Sequence, residues 1–149
     1  MEDKSAQSRG FIYLLKNLFT GKRGGLSMYV PENKKQLLDS FIHNIACLSD
    51  KKYQERIWVR SEGPEFDDID DTVCDFFDDG NPILEKYAEY GITEIQYKSV
   101  ALLYSKLRKF TDTFQVYSRL KSTEQLIELP QWQEIREESK NVLKLFDKS

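Results

Sequence analysis

Apolar residues recur at helical spacing through most of the chain that follows Met28. The first run comes after Pro31 and predicts a helix over about residues 32–48. Asp50 is placed to cap a second helix that continues through Trp58, and the Ser-Glu-Gly-Pro string at 61–64 is expected to end it. No segment alternates as a half-buried strand does, and residues 56–60 are the one short strand candidate.

The next helix, predicted over about residues 67–79, has two chemically different sides. Its apolar stripe is formed by Ile69, Val73, Phe76 and Phe77. The opposite side carries six aspartates: Asp67, Asp68, Asp71, Asp75, Asp78 and Asp79. We expect Gly80 to end this helix and Asn81-Pro82 to open another, which ends at Gly91.

Two capping boxes and a proline predict the remaining helices. Thr93 with Gln96 opens a long helix, Ser122 with Gln125 repeats the pattern, and Pro130 begins the last helix. The inner face of the long helix is predicted to carry Ile95, Val100, Leu103, Leu107, Phe110, Phe114 and Tyr117. We therefore predict an all-α fold, a compact bundle of about six helices with short connections.

Length and charge divide the chain into two parts. A chain of 149 residues has the size of one domain. Residues 1–27 hold five bases and two acids, which predicts a basic N-terminal extension or docked segment ahead of a single helical domain at 28–149. No apolar run is long enough to cross a bilayer, and no secretory pattern is present. We therefore expect a cytoplasmic protein without stable membrane insertion.

The strongest functional signal is a run of acids. Residues 62–85 contain ten acidic residues and no Lys or Arg. Like charges at i, i+4 on a helix are unfavourable, and a sequence breaks such local rules most often at functional sites. One interpretation is a solvated face, neutralised in part by bases of neighbouring helices: Arg56, Arg60, Lys106, Arg108 and Lys109. The other is a surface that binds a partner.

The binding interpretation predicts a basic protein as the partner. A fixed anionic face accelerates association with a basic surface and excludes wrong partners. The predicted contact residues are Glu62, Glu65, Asp67, Asp68, Asp71, Asp75, Asp78 and Asp79. Phe66 and Tyr87 or Tyr90 could supply apolar anchors. The overall negative charge argues against direct nucleic-acid binding, and no cofactor or metal is expected in this interpretation.

A small, acidic, single-domain chain with no catalytic signature resembles the bacterial immunity proteins of contact-dependent and other polymorphic toxin systems. The resemblance is one of general type across the whole chain. It implies a non-enzymatic protein that neutralises a toxin domain. Many of those toxins are basic nucleases, so the resemblance implies that the acidic helix occupies a site built for phosphate.

Three alternatives remain open from the sequence. Glu62-x-x-Glu65 followed by Asp75-x-x-Asp78 is similar to the E-x-x-E and E-x-x-D motifs of the all-α nucleotide pyrophosphohydrolases, which implies magnesium held by those four carboxylates. His43 and Cys47 lie one helical turn apart and could form a nucleophilic pair, although a structural role is expected. A regulatory or adaptor domain with a solvated acidic face is the third alternative.

Overall fold

The computed structural model describes residues 31–113 and 121–147. Within these ranges the chain forms six α-helices and no strand, which confirms the predicted all-α fold. The α-helices are α1 (Pro31–Ser49), α2 (Lys51–Tyr53), α3 (Ile69–Glu85), α4 (Glu94–Asp112), α5 (Thr123–Leu126) and α6 (Pro130–Asp147). A π-helical segment, Gln54–Val59, continues α2, and a 3-10 turn, Tyr87–Tyr90, follows α3.

The four long helices pack as antiparallel neighbours. Helix α1 packs against both α3 and α6, while α4 packs against α6 and, less extensively, against α3. Contacts between opposite ends fix these directions: Lys34 near the start of α1 pairs with Glu89 just after α3, and Gln96 near the start of α4 donates to the Leu145 carbonyl near the end of α6. Helices α3 and α6 therefore lie at opposite corners of the bundle.

The predicted apolar stripe of α3 faces the core. Ile69, Val73, Phe76 and Phe77 are all buried, which confirms the phase of this helix. Phe76 packs on Phe41 of α1 with ring centroids 5.1 Å apart. The acidic side of α3 is consequently turned away from the centre of the bundle.

Helix α3 is longer than predicted because it runs through Gly80 and Pro82 without a break. Gly80 is buried, and a Cβ atom built there would lie 2.8 Å from Cε1 of Phe41. Asn81 does not cap a new helix, since its Oδ1 accepts a hydrogen bond from the Tyr104 hydroxyl at 2.8 Å. The glycine thus serves close packing of α3 on α1, and the predicted helix end at this position is wrong.

Substituting Gly80→Ala should destabilise the fold despite the better helix propensity of alanine. The ring of Phe41 is fully buried against Phe76 and has no free space in which to move. Overpacking of about 1–3 kcal/mol should outweigh a propensity gain of about 1 kcal/mol. Urea unfolding should report a net loss of up to about 2 kcal/mol, whereas Ser105→Ala, at an exposed position of α4, should change little. A rise in stability for Gly80→Ala would contradict this packing.

Both predicted capping boxes are present, but one predicted core position of α4 is wrong. Thr93 and Gln96 exchange side chain to backbone hydrogen bonds at the start of α4, as Ser122 and Gln125 do at α5. Ile95 is 69% exposed because five residues separate it from the buried Val100, which turns it about 140° away from the core stripe. Phe114 and Tyr117 lie outside the described residues.

The segment after α1 is helical, as its cap predicts. The carboxylate of Asp50 accepts a hydrogen bond from the backbone N–H of Tyr53 at 3.0 Å. Residues 56–60, the strand candidate, belong mainly to the π-helical segment Gln54–Val59 and to the turn after it. This segment brings Gln54 and Trp58 into the core, where both side chains are buried.

The predicted basic extension at 1–27 lies outside the described residues, so the division of the chain at residue 28 stays a prediction. Among the described helices, none combines the length and the apolar character that crossing a membrane requires.

Candidate binding face on helix α3

The loop before α3 is fixed by one carboxylate. The Oδ2 atom of Asp67 accepts hydrogen bonds from the Tyr53 hydroxyl at 2.7 Å, from Trp58 Nε1 at 3.0 Å and from Thr72 Oγ1 at 2.7 Å. The three donors come from α2, the π-helical segment and α3. Asp67 is therefore half-buried and joins three elements, and its predicted outward orientation is wrong.

Asp79, at the other end of the predicted acidic side, is also turned inward. It is only 7% exposed, and its Oδ2 accepts hydrogen bonds from Ser40 Oγ at 2.9 Å and from Asn44 Nδ2 at 3.4 Å. The carboxylate links α3 to α1. The prediction that Asp79 points outward on an exposed face is wrong, because α1 approaches this turn closely enough to cover it.

Three aspartates do lie exposed on α3, and we call Asp68, Asp71 and Asp75 the acidic row. Asp68 caps the helix by accepting the backbone N–H of Asp71 at 2.7 Å. In the part of the chain that the structure describes, no Lys or Arg lies within 4.0 Å of any of the three. Asp78 is half-buried beside the row.

Three of the bases that could neutralise this face, Arg56, Arg60 and Lys106, pair with other acids. Arg60 pairs with Glu62 at 3.1 Å, and Arg56 pairs with Glu65 at 3.4 Å. Lys106 pairs with acids of α6, and the Arg108 guanidinium lies 5.8 Å from the ring centroid of Phe77. Two of the predicted contact residues, Glu62 and Glu65, are thus ion-paired, and the acidic row keeps its charge uncompensated by these bases.

Burial and mutual repulsion raise the pKa values along this helix. The pKa of Asp75 rises to about 6, through loss of solvent first and then through the charges of Asp79, Asp71, Asp67 and Asp78. Loss of solvent and the charge of Asp68 likewise raise the pKa of Asp71. The folded state therefore holds these carboxylates less favourably than water does, and a cationic partner would relieve that cost.

The pKa of Asp70 rises further than that of Asp75, and the effect of this rise on stability can be tested. Burial, followed by the charges of Asp68 and Asp71, raises its pKa to about 7. The unfolded carboxyl titrates near pH ~4. Because the folded-state pKa is the higher one, stability should fall as pH rises from about 4 to about 7.

Removing this carboxylate should therefore stabilise the protein only at higher pH. We expect Asp70→Asn to gain about 1–2 kcal/mol at pH 8, after allowance for residual solvent around the group, and almost nothing at pH 4. Asp39→Asn, the same substitution at an exposed position of α1 that makes none of the described ion pairs, should have the same small effect at both pH values. Urea unfolding at the two pH values measures the difference, and an equal effect of Asp70→Asn at both would contradict the raised pKa.

The carboxylates required by the magnesium alternative do not come together. Among the described residues, no three His, Cys, Asp or Glu side chains are grouped so that they could hold a metal ion. The described residues include all four carboxylates of this alternative: Glu62, Glu65, Asp75 and Asp78. The arrangement provides no shared magnesium site from these four residues.

His43 and Cys47 touch but are not arranged as an activated nucleophile. Cys47 Sγ lies 3.7 Å from His43 Nε2, on adjacent turns of α1. Burial raises the pKa of the Cys47 thiol to about 11, although a hydrogen bond with Tyr53 acts in the opposite direction. The thiol is therefore protonated at neutral pH, and the nucleophilic thiolate is disfavoured.

Of the three predicted aromatic anchors, only Phe66 is fully exposed. Tyr87 stacks on Tyr97 with ring centroids 4.2 Å apart, and the Lys34 ammonium lies 5.3 Å from the ring centroid of Tyr90. Phe66 directly precedes Asp67, the carboxylate that fixes the loop, and Asp68, the first member of the acidic row.

Comparison of the chain with protein-family models, curated proteins and solved structures found no match.

Proposed function

We propose that this chain is a non-enzymatic binding protein whose acidic row captures a basic protein. The observation that carries the proposal is the state of Asp71 and Asp75, which are exposed, have no basic neighbour among the described residues and have raised pKa values. A Lys or Arg from a partner would stabilise both charges. Complementary charge of this kind raises the association rate and the specificity of a complex.

The charge spacing of the acidic row also supports a partner whose binding site normally holds a nucleic acid. Seven residues separate Asp68 from Asp75, so the row extends about 10 Å along the helix axis. One nucleic-acid strand carries a phosphate charge about every 3.4 Å of helix axis. Three carboxylates over that length are about 5 Å apart on average, so the row carries roughly two thirds of the charge density of one strand. This density supports a basic nuclease as the partner and an immunity protein as the specific role.

The orientation of Asp67 and Asp79 narrows the proposed contact surface. Both carboxylates serve the fold, and their substitution would disturb the packing around them. The proposed contacts are therefore the acidic row, with Asp78 and the ion-paired Glu62 and Glu65 at its edges.

The direct test uses the product of the adjacent gene. If that gene encodes a basic C-terminal domain with toxin activity, co-expression of this chain should restore growth to cells that produce the domain. The purified chain should inhibit the domain's nuclease activity at equimolar ratio. A purified domain whose activity and toxicity this chain leaves unchanged would contradict the immunity role.

A further inference from the structure

Phe66 is the most exposed large apolar side chain among the described residues. It is 100% exposed, whereas Leu102 and Leu145 are 48% and 40% exposed and so are partly covered by neighbours. Apolar residues scattered singly over a surface are common, but most of them bury part of the side chain. Full exposure of a phenylalanine leaves its whole apolar area available for contact.

The chain on the N-terminal side of Phe66 is held in place. The Arg56 guanidinium donates to the Glu62 carbonyl at 3.1 Å and to Glu65 Oε1 at 3.4 Å. Gly63 has φ +120°, and a Cβ there would lie 2.5 Å from the same guanidinium. The loop is therefore wrapped around Arg56.

The chain on the C-terminal side is held as well. Asp67 is joined by hydrogen bonds to Tyr53, Trp58 and Thr72, and Asp68 caps α3. With both neighbours held by hydrogen bonds, the backbone at Phe66 is held as well, and the ring projects into solvent from it. A partner that binds this ring has little backbone to order, which lowers the entropic cost of association.

Resting on the proposed function, we propose that Phe66 is the apolar anchor of the partner interface. The partner it fits is a basic protein surface that places apolar side chains against the ring, with Lys or Arg at the rim of this contact. Charge complementarity supports this chemistry, because Asp68 lies two residues after the ring in sequence and Asp71 follows one turn later. A rim cation could also lie over the aromatic face, where the ring quadrupole attracts it. A desolvated aromatic anchor surrounded by polar contacts is the usual composition of an interface hot spot.

The test uses random short peptides displayed on phage and selected against the immobilised full-length chain. Enriched peptides are synthesised, and fluorescence anisotropy measures their dissociation constants for wild type, Phe66→Ala, Phe66→Trp and the double variant Asp71→Asn, Asp75→Asn. Leu102→Ala serves as the matched apolar control, since it truncates an exposed side chain on α4. Thermal unfolding should be unchanged in Phe66→Ala, because the ring packs on nothing that it would leave empty.

Enriched peptides should combine apolar residues with Lys or Arg. Phe66→Ala should weaken their binding by about 30-fold or more, while Phe66→Trp and Leu102→Ala should retain it. Equal binding to Phe66→Ala and wild type would overturn the anchor role. If the double Asn variant weakens binding but Phe66→Ala does not, this inference fails and the proposed function stands. If peptides bind through Phe66 without any basic residue, the proposed function fails.

A second copy of this chain could cover Phe66 instead of a basic partner, and the oligomeric state tests that alternative. Light scattering should find the same mass for wild type and Phe66→Ala over a range of concentrations. A wild-type dimer that Phe66→Ala converts to monomer would overturn the proposal, because the ring would then be covered by a second copy of this chain.

Discussion

Replacing Asp71 and Asp75 by lysine should abolish capture of the basic partner and leave the fold intact. Close charge pairs across protein interfaces contribute about 1.5–7 kcal/mol each when measured by coupling, and reversal replaces attraction by repulsion. Two reversals should therefore raise the dissociation constant by about 100-fold or more. Isothermal titration calorimetry measures the loss, and growth rescue should fail in parallel.

Stability should not explain that loss. The double reversal keeps a like-charge pair at i, i+4, now between two lysines. It turns the i, i+4 repulsion from Asp67 and from Asp79 into attraction, worth roughly 0.2–0.5 kcal/mol each, and replaces aspartate by a better helix former. It also removes the Asp75 carboxylate, whose pKa the folded state raises to about 6. The unfolding temperature should therefore stay constant or rise.

A matched control tests whether net charge alone decides binding. Glu124→Lys with Glu137→Lys makes the same change in net charge at exposed positions of α5 and α6, and it leaves the ion pairs of Lys106 intact. This variant should bind the partner nearly as tightly as wild type does. If it loses as much affinity as the α3 variant, the acidic row is not the contact surface.

Substituting Gln54→Ala should cause the largest loss of stability, about 3–5 kcal/mol. The side chain is fully buried, and its Oε1 accepts hydrogen bonds from Arg136 at 2.8 Å and from Trp132 Nε1 at 3.0 Å. Its Nε2 donates to the carbonyls of Cys47 and Leu48, both at 2.9 Å. One amide thus joins the end of α1, the π-helical segment and α6.

The cost is high because alanine leaves a buried cation with fewer partners. Arg136 is only 5% exposed, its remaining hydrogen bond goes to the Ile127 carbonyl at 3.2 Å, and burial lowers its pKa. Loss of the Gln54 acceptor would also leave the Trp132 N–H and two carbonyls without this partner. Urea unfolding should measure the loss, and the unfolding temperature should fall by about 10–20 °C.

The control for this prediction is Gln131→Ala, at an exposed position in the first turn of α6, which should cost little. A second variant, Arg136→Met in the Gln54→Ala background, should recover part of the lost stability. It removes the buried guanidinium that has lost its Gln54 acceptor. A loss below about 1 kcal/mol for Gln54→Ala would contradict the central role of this amide.

The helices could be predicted because their signals are local. The cap at Asp50, the two capping boxes and the apolar stripe of α3 depend on residues within one or two turns of each other. The acidic side of α3 followed from the same periodicity. Asp68, Asp71 and Asp75 do lie exposed, whereas Asp67 and Asp79 are turned inward, and the role of this side in binding stays a prediction.

Apart from Ile95, whose position follows from helix geometry alone, the errors arose where a distant residue decided the outcome. Gly80 has the local signature of a helix end, but the ring of Phe41 on another helix explains the glycine. Asp79 has the spacing of an exposed residue, but Ser40 and Asn44 cover it. Gln54 carried no signal at all, because a buried glutamine looks like a surface residue until its partners are known.

The most direct test of the acidic row is the salt dependence of partner binding, measured by calorimetry for wild type and for the variant Asp71→Asn, Asp75→Asn. Raising the salt concentration from about 0.1 M to about 1 M shortens the Debye length from about 10 Å to about 3 Å. The affinity of wild type should fall by about tenfold or more, while the neutral variant should bind more weakly at low salt and respond much less. Equal affinities and equal salt responses for the two proteins would contradict the account.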